Sequence, residues 1–176
     1  MTFIASANAI LHTGATPVFV DVEPDTGNIN ANFIESAITS KTKAIIPVHL
    51  YGHMCDMKSI RRIAEKHHMV IIEDAAHSIE SIRDGIRPGT LGDAACFSFY
   101  ATKNITCGEG GAVATNDEEI AEKLRKLRLH GMSKGAADRY SKRYEHWDME
   151  MLGWKYNMSN IQAALLLYQL ENIEKN

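Results

Sequence analysis

A lysine at the end of an apolar strand is the first residue of this sequence whose setting implies chemistry. Ala94 to Phe99 reads as a buried strand that runs into Tyr100-Ala101-Thr102-Lys103-Asn104. Gly108-Glu109-Gly110-Gly111 then turns the chain back toward a further strand, Ala112 to Thr115. Desolvation at a strand end disfavours the ammonium form of a lysine, which is how an amine becomes nucleophilic enough for Schiff-base chemistry. The simpler alternative is a side chain that reaches to water. Asp74 is the second such residue, because Met69-Val70-Ile71-Ile72 is an almost wholly apolar strand ending in Glu73-Asp74-Ala75-Ala76-His77. A carboxylate at a buried strand end is costly unless a cation neutralises it. Two partners meet that need: a protonated ring nitrogen on a bound cofactor, or Lys103 itself in an ion pair with no cofactor.

The elements that must carry these residues alternate between periods of about two and 3.6. Thr2 to His12 reads as a strand end or turn followed by a short helix, stopped by Gly14 and Pro17. Val18 to Val22 is expected as a short β-branched strand, Glu23 to Gly27 as a turn, Asn32 to Ile38 as a modest helix and Lys43 to Val48 as a buried strand. Asp56 can cap a helix with the inward stripe Met57, Ile60, Ile63 and Ala64. Asn116 is expected to cap a helix carrying Ile120, Leu124 and Leu127, with Glu119 completing a capping box. A long irregular loop is expected over 132–157, holding Tyr140, Tyr144, Trp147 and Trp154, and Ser159 caps a last helix, Asn160 to Ile173, that is apolar nearly all round. Strands alternating with helices predict an α/β fold, a three-layer, mostly parallel sheet with helices on both faces. Ligands of such sheets lie beyond the carboxyl ends of the strands. Three polar segments could converge there: His49-Leu50-Tyr51-Gly52, Glu73 to His77, and Ser98 to Lys103.

Composition narrows the function classes. The chain has 176 residues, 45% of them hydrophobic and 23% charged, enough for one domain with a real core. A net charge of −3 without a basic run disfavours nucleic acid or an anionic membrane surface as a partner. Cys55, Cys96 and Cys107 form no CxxC pair, so neither a disulfide framework nor a zinc site is indicated, and a cytoplasmic setting is expected. His49 and His53 have metal-like spacing but straddle a strand end and turn; a positional role is expected of His49 and none of His53. His67 and His68 are expected to end a helix and meet its dipole.

An aspartate on a pyridine nitrogen and a lysine on an aldehyde are the arrangement used by enzymes of pyridoxal 5'-phosphate (PLP). The segments taken together carry a resemblance. Gly14-Ala15-Thr16-Pro17-Val18-Phe19-Val20-Asp21-Val22, Pro47-Val48-His49-Leu50-Tyr51-Gly52, Glu73-Asp74-Ala75-Ala76-His77, Phe97-Ser98-Phe99 through Lys103-Asn104, and Gly108-Glu109-Gly110-Gly111 occur in the order and spacing of one family, and Tyr156-Asn157-Met158-Ser159 with Ile161-Gln162-Ala163-Ala164 extends the match. The chain closely resembles the DegT-type (StrS-type) PLP-dependent aminotransferases that aminate keto-sugars on nucleotide carriers.

The resemblance implies a PLP-transferase fold type I large domain, with Lys103 forming the internal aldimine and moving the proton. It makes Asp74 the partner of the pyridine nitrogen and His77 a hydrogen-bond partner of the phenolic oxygen. Ser98 matches a phosphate-binding hydroxyl and Phe3 an aromatic residue over the ring. Asn157 matches a residue given to the neighbouring subunit's phosphate, which implies a homodimer with shared sites. The implied substrates are a nucleotide-linked keto-sugar and an amino-acid donor, glutamate, in cell-envelope or other polysaccharide sugar synthesis. Full-length members are about twice as long, so residues 1–176 are expected to be a partial PLP-binding domain, incomplete at both ends, that alone binds the cofactor weakly or not at all. Two other functions are consistent with the residues: a PLP-dependent sugar dehydratase, against which the retained Lys103 argues, and a non-catalytic α/β binding or regulatory module.

Overall fold

Ile71, fully buried, sits at the centre of a four-stranded sheet whose order along the chain is also its order in space. The computed structural model describes residues 1–133 and 148–173. Strands β1 (Ala44–Ile45), β2 (Val70–Asp74) and β3 (Ala94–Ser98) are parallel neighbours, and β4 (Gly111–Ala114) returns antiparallel to β3. The sheet is therefore mixed, because the short connection through residues 99–110 has no room for the crossover a parallel pair requires. Helices α1 (Ile4–His12), α2 (Ala31–Ala37), α3 (Met57–Lys66), α4 (Glu118–Leu127) and α5 (Asn160–Glu171) complete the described elements, with a 3₁₀ turn at Leu50–Gly52.

The main core joins Ile34 of α2, Met57, Ile60 and Ala64 of α3, and Ile45 and Ile71 of the sheet. The expected stripe of α3 is the buried one, with Ile63 packed at its margin, and Asp56 caps the helix by accepting from the Ser59 amide at 3.0 Å. His67 is its C-cap, and its ring reaches Glu35 of α2 beside Lys66. A second cluster packs Leu166 of α5 against Phe99, Ile105 and Cys107, directly beneath the segment that carries Lys103. Ser159 and Gln162 form a full capping box at the start of α5.

Three local expectations are corrected. Val18 to Val22 is not a strand: Val18 and Phe19 are 67% and 74% exposed, and the only pairing described there is a single Val22–Ile29 bridge. β-Branched sequence makes a strand only where a neighbour takes up its backbone hydrogen bonds. The strand expected over Lys43 to Val48 is reduced to two residues, because Pro47 has no amide to give the ladder; pairing resumes only at the Val48–Asp74 bridge. Helix α4 is capped by Asp117 in place of Asn116, its carboxylate accepting from the Glu119 and Ile120 amides at 2.9 and 3.1 Å. Of the loop expected over 132–157, residues 134–147 lie outside the described residues, and with them Tyr140, Tyr144 and Trp147.

One polar assembly fixes the sheet's working edge. The carboxylate of Glu73 is fully buried; one oxygen meets His49 Nε2 at 2.7 Å, and the other accepts from the amides of Gly89 and Gly92 at 3.0 and 2.8 Å. The Cys55 amide donates to His49 Nδ1, so Nε2 carries the proton and donates to Glu73. A Cβ on Gly92 would stand 2.4 Å from Glu73 Oε1. Gly92→Ala is therefore expected to lower unfolding stability by about 3 kcal/mol, the order of a lost hydrogen bond to a buried charge. A urea midpoint equal to that of the parent would refute this account of the glycine.

Candidate active site

Alternation along β2 separates its last two carboxylates. Side chains of successive strand residues point to opposite faces, so Glu73 joins the buried assembly on the Ile71 side and Asp74 faces the other way. There Asp74 Oδ2 accepts from Ser6 of α1 at 2.5 Å, and Oδ1 accepts from the Ala76 amide at 3.2 Å. The backbone of Asp74 is held on both sides as well. Its amide donates to Pro47 and its carbonyl accepts from His49, while the Ala75 amide donates to Cys96 of β3. The carboxyl ends of β2 and β3, and the extension of β1, thus meet around this residue.

His77 follows three residues later and lies within electrostatic reach of both Asp74 and Lys103. Its ring stacks on Tyr51 with centroids 5.6 Å apart and planes 1° from parallel. Tyr51 adopts a φ of 50°, unusual for an aromatic residue, and Gly52 beside it has a φ of 82°. A Cβ at Gly52 would press on the His77 carbonyl at 3.2 Å. This tight turn is braced from beneath: buried Asn28 accepts from the Leu50 amide and donates to the His53 carbonyl, and Ser81 donates to the Gly52 carbonyl at 2.6 Å. His49 has the positional role expected of it, and the His53 side chain is exposed.

Lys103 is half-buried on the turn after β3. No hydrogen bond or ion pair of its ammonium group is made within the described residues, so the simple Asp74–Lys103 ion pair does not form. The turn is fastened from α5. Gln169 accepts from the Thr106 amide and donates to the Thr106 carbonyl at 3.0 and 2.8 Å, and Gln162 donates to the Glu109 carbonyl at 2.8 Å. Asn104 contacts Glu80, which ties the turn to the segment after His77. Ser98 ends β3, two residues beyond Cys96, which pairs with Asp74, and its hydroxyl accepts from the Tyr100 amide at 3.3 Å.

The structure thus brings Asp74, His77 and Lys103 together, with Ser98 at the same strand ends. Phe3 is 74% exposed at the start of α1, one turn before Ser6. Asn157 is exposed and accepts from Lys155; none of its described contacts reaches the other three residues. Ser6 and Tyr51 are neighbours of the site that the sequence did not single out. A serine in a helix carries no signal of its own, whereas Tyr51-Gly52 marked a turn without marking its stacking partner. A buried-edge carboxylate, a ring within its reach and an unpaired amine are the donor set that PLP requires, so the residues fit that group.

Burial holds the His77 ring below its ordinary value of 6.5, the neighbouring Lys103 ammonium adds to the depression, and Asp74 opposes it. The fold therefore prefers the neutral imidazole. The resulting contribution to stability is complete above pH 6.5 and is lost as pH falls from there toward the lower folded value. NMR titration of the His77 ring is expected to give a midpoint under 6.5 that rises in Lys103→Ala; a midpoint indifferent to that substitution would show the two side chains to be uncoupled.

Comparison with known proteins shows the same fold and a family. The DegT/DnrJ/EryC1/StrS aminotransferase family model matches residues 1–176. The chain is 47% identical over 176 residues to GDP-perosamine synthase of Caulobacter vibrioides, covering 100% of this chain and 45% of that protein. Among solved structures, Helicobacter pylori PseC, an aminotransferase involved in the biosynthesis of pseudoaminic acid, superimposes with a TM-score of 0.91 at 35% identity over 99% of this chain and 45% of that one. The PLP form of the putative sugar aminotransferase Spr1654 from Streptococcus pneumoniae gives 0.87 at 35% identity, over 99% and 48%. The chain spans about half the length of these relatives. A mixed sheet that gathers Asp74, His77 and Lys103 at its strand ends, and a family match along its whole length, lead to one conclusion: the chain belongs to the DegT/DnrJ/EryC1/StrS aminotransferase family.

Proposed function

We propose that this chain carries the PLP-handling centre of an aminotransferase that moves an amino group from an amino-acid donor, glutamate, to the ketone of a nucleotide-linked sugar. The observation that carries this reading is the meeting of Asp74, His77 and Lys103 at the carboxyl ends of β2 and β3. Bound there, PLP supplies an aldehyde and a ring that withdraws electrons from the reacting carbon. Asp74 would hold the ring nitrogen, His77 the phenolic oxygen and Ser98 a phosphate oxygen. Lys103 Nζ, which has no carboxylate partner among the described residues, is available both to hold the aldehyde carbon and, once released, to move a proton at the donor's Cα. The neutral form that the fold favours at His77 leaves its ring able to donate one hydrogen bond without adding a second positive charge beside Lys103.

Exposed residues support assembly into a homodimer. Ile161, Leu165, Leu167 and Tyr168 of α5 and Leu152, Trp154 and Tyr156 before it are apolar and exposed, and continuous surfaces of this kind mark interfaces. In a homodimer, Asn157 on that exposed stretch would serve the second subunit's phosphate, and Phe3 would cover the ring. Relatives named for perosamine, pseudoaminic acid and spore coat polysaccharide support a role in cell-surface sugar synthesis. The three free cysteines agree with a reducing cytoplasm, and no described helix is long and apolar enough to cross a membrane.

Mixed with PLP and reduced with borohydride, the full-length enzyme is expected to retain the cofactor covalently at Lys103, read by peptide mass spectrometry. Lys103→Ala should abolish that adduct and the transfer of labelled nitrogen from glutamate to the sugar. Substantial nitrogen transfer by the variant would overturn the assignment.

A further inference from the structure

We propose that Ser6 is the positioning residue of the Asp74 carboxylate, fixing the plane in which Asp74 meets the cofactor's ring nitrogen, with Thr2 holding Ser6 in turn. The proposal rests on the PLP site described above. Asp74 alone is a poorly defined ligand, because the terminal torsion of an aspartate is broad and roughly two-fold. Here each oxygen has its own anchor. Oδ1 takes the Ala76 amide of the same turn, and Oδ2 takes the hydroxyl of Ser6, 68 residues earlier in the chain.

The direction of each hydrogen bond follows from proton counting. A carboxylate has no hydrogen to give, so the Ser6 hydroxyl donates to Asp74 at 2.5 Å. The Ser6 oxygen is then left to accept, and Thr2 Oγ1, at 2.6 Å, is the donor. Thr2 also lies 3.2 Å from the Phe3 carbonyl, the longer and weaker of its two contacts. The result is a one-way chain from Thr2 through Ser6 to Asp74. Its last link is charge-assisted and has the short separation expected of an O–H donor on an anion.

Ser6 departs from the usual habit of a helical serine, which is to bond back to a carbonyl of its own helix. It sits in the first turn of α1, and its hydroxyl leaves the helix to reach the sheet. Because Phe3 is the N-cap of α1, the same helix that orients Asp74 also presents the residue expected over the ring. With two oxygens tied to two different elements, the lone pairs that remain on Asp74 have one orientation, and loss of Ser6 would restore its freedom to rotate.

The test uses the full-length enzyme and PLP labelled with nitrogen-15 in its ring. Ser6→Ala is expected to raise the PLP dissociation constant about tenfold, the scale of a hydrogen bond to a charged group. It should also move the ring-nitrogen chemical shift toward that of the unprotonated pyridine. Ser6→Thr, which keeps the hydroxyl, should restore both readouts, and Thr2→Val should change both in the same direction by less. Thr2→Val also gives a second reading of the chain should Ser6→Ala fail to fold. Parent-like affinity and chemical shift in a folded Ser6→Ala protein would overturn the proposal, and so would a Ser6→Thr protein as impaired as Ser6→Ala. A parent enzyme that binds no PLP would instead remove the site on which the proposal rests.

Discussion

The buried carboxylate of Glu73 is the constraint on which the rest of the site depends. An ionised side chain with no exposed surface is tolerable only when its lone pairs are taken up, and here three donors from two stretches of chain do so. His49 brings the segment after β1 alongside β2, and Gly89 and Gly92 bring in the connection to β3. Removing any one donor would leave a buried charge short of a partner, so the carboxylate holds these segments in one relative position. The cost of burying a charge becomes geometric specificity at the strand ends.

Asp74 inherits that geometry through the pleat. It is one residue from Glu73 and points to the opposite face, where its carboxylate meets α1 and not the core assembly. Neighbouring carboxylates thus part ways, with one joining the buried scaffold and the other held by Ser6 and the Ala76 amide at the strand ends. The turn at Tyr51 and Gly52 follows the same logic. It leaves Tyr51 in an unusual backbone conformation, is braced by Asn28 and Ser81, and so carries the strain of setting an aromatic ring flat against His77. On the far side, Gln162 and Gln169 of α5 fasten the Lys103 turn by its backbone, and among the described residues the lysine side chain is left unengaged.

Much of this could be read before any coordinates. The apolar run at 69–72, the stripe of α3, the caps at Asp56 and Ser159, and the placing of Asp74, His77, Ser98 and Lys103 at strand ends all follow from periodicity and local chemistry, and these features occur where expected. The failures have a common cause. Val18 to Val22 has the composition of a strand and lacks a paired neighbour, and Lys43 to Val48 has the right residues but a proline in the ladder. The choice between Asn116 and Asp117 as a cap turned on one residue of backbone that propensity does not resolve.

The sequence by itself determined the α/β alternation, the strand-end groups and the family, because each is written in residue type at fixed spacing along one stretch of chain. Only the tertiary structure decided that Glu73 would be sealed by His49 and two glycine amides, that Tyr51 would lie flat on His77, and that a helical serine would hold Asp74. Those partners are tens of residues apart in the chain, and a hydrogen bond or ring stack between them exists only once the sheet, the helices and their turns have fixed the distances.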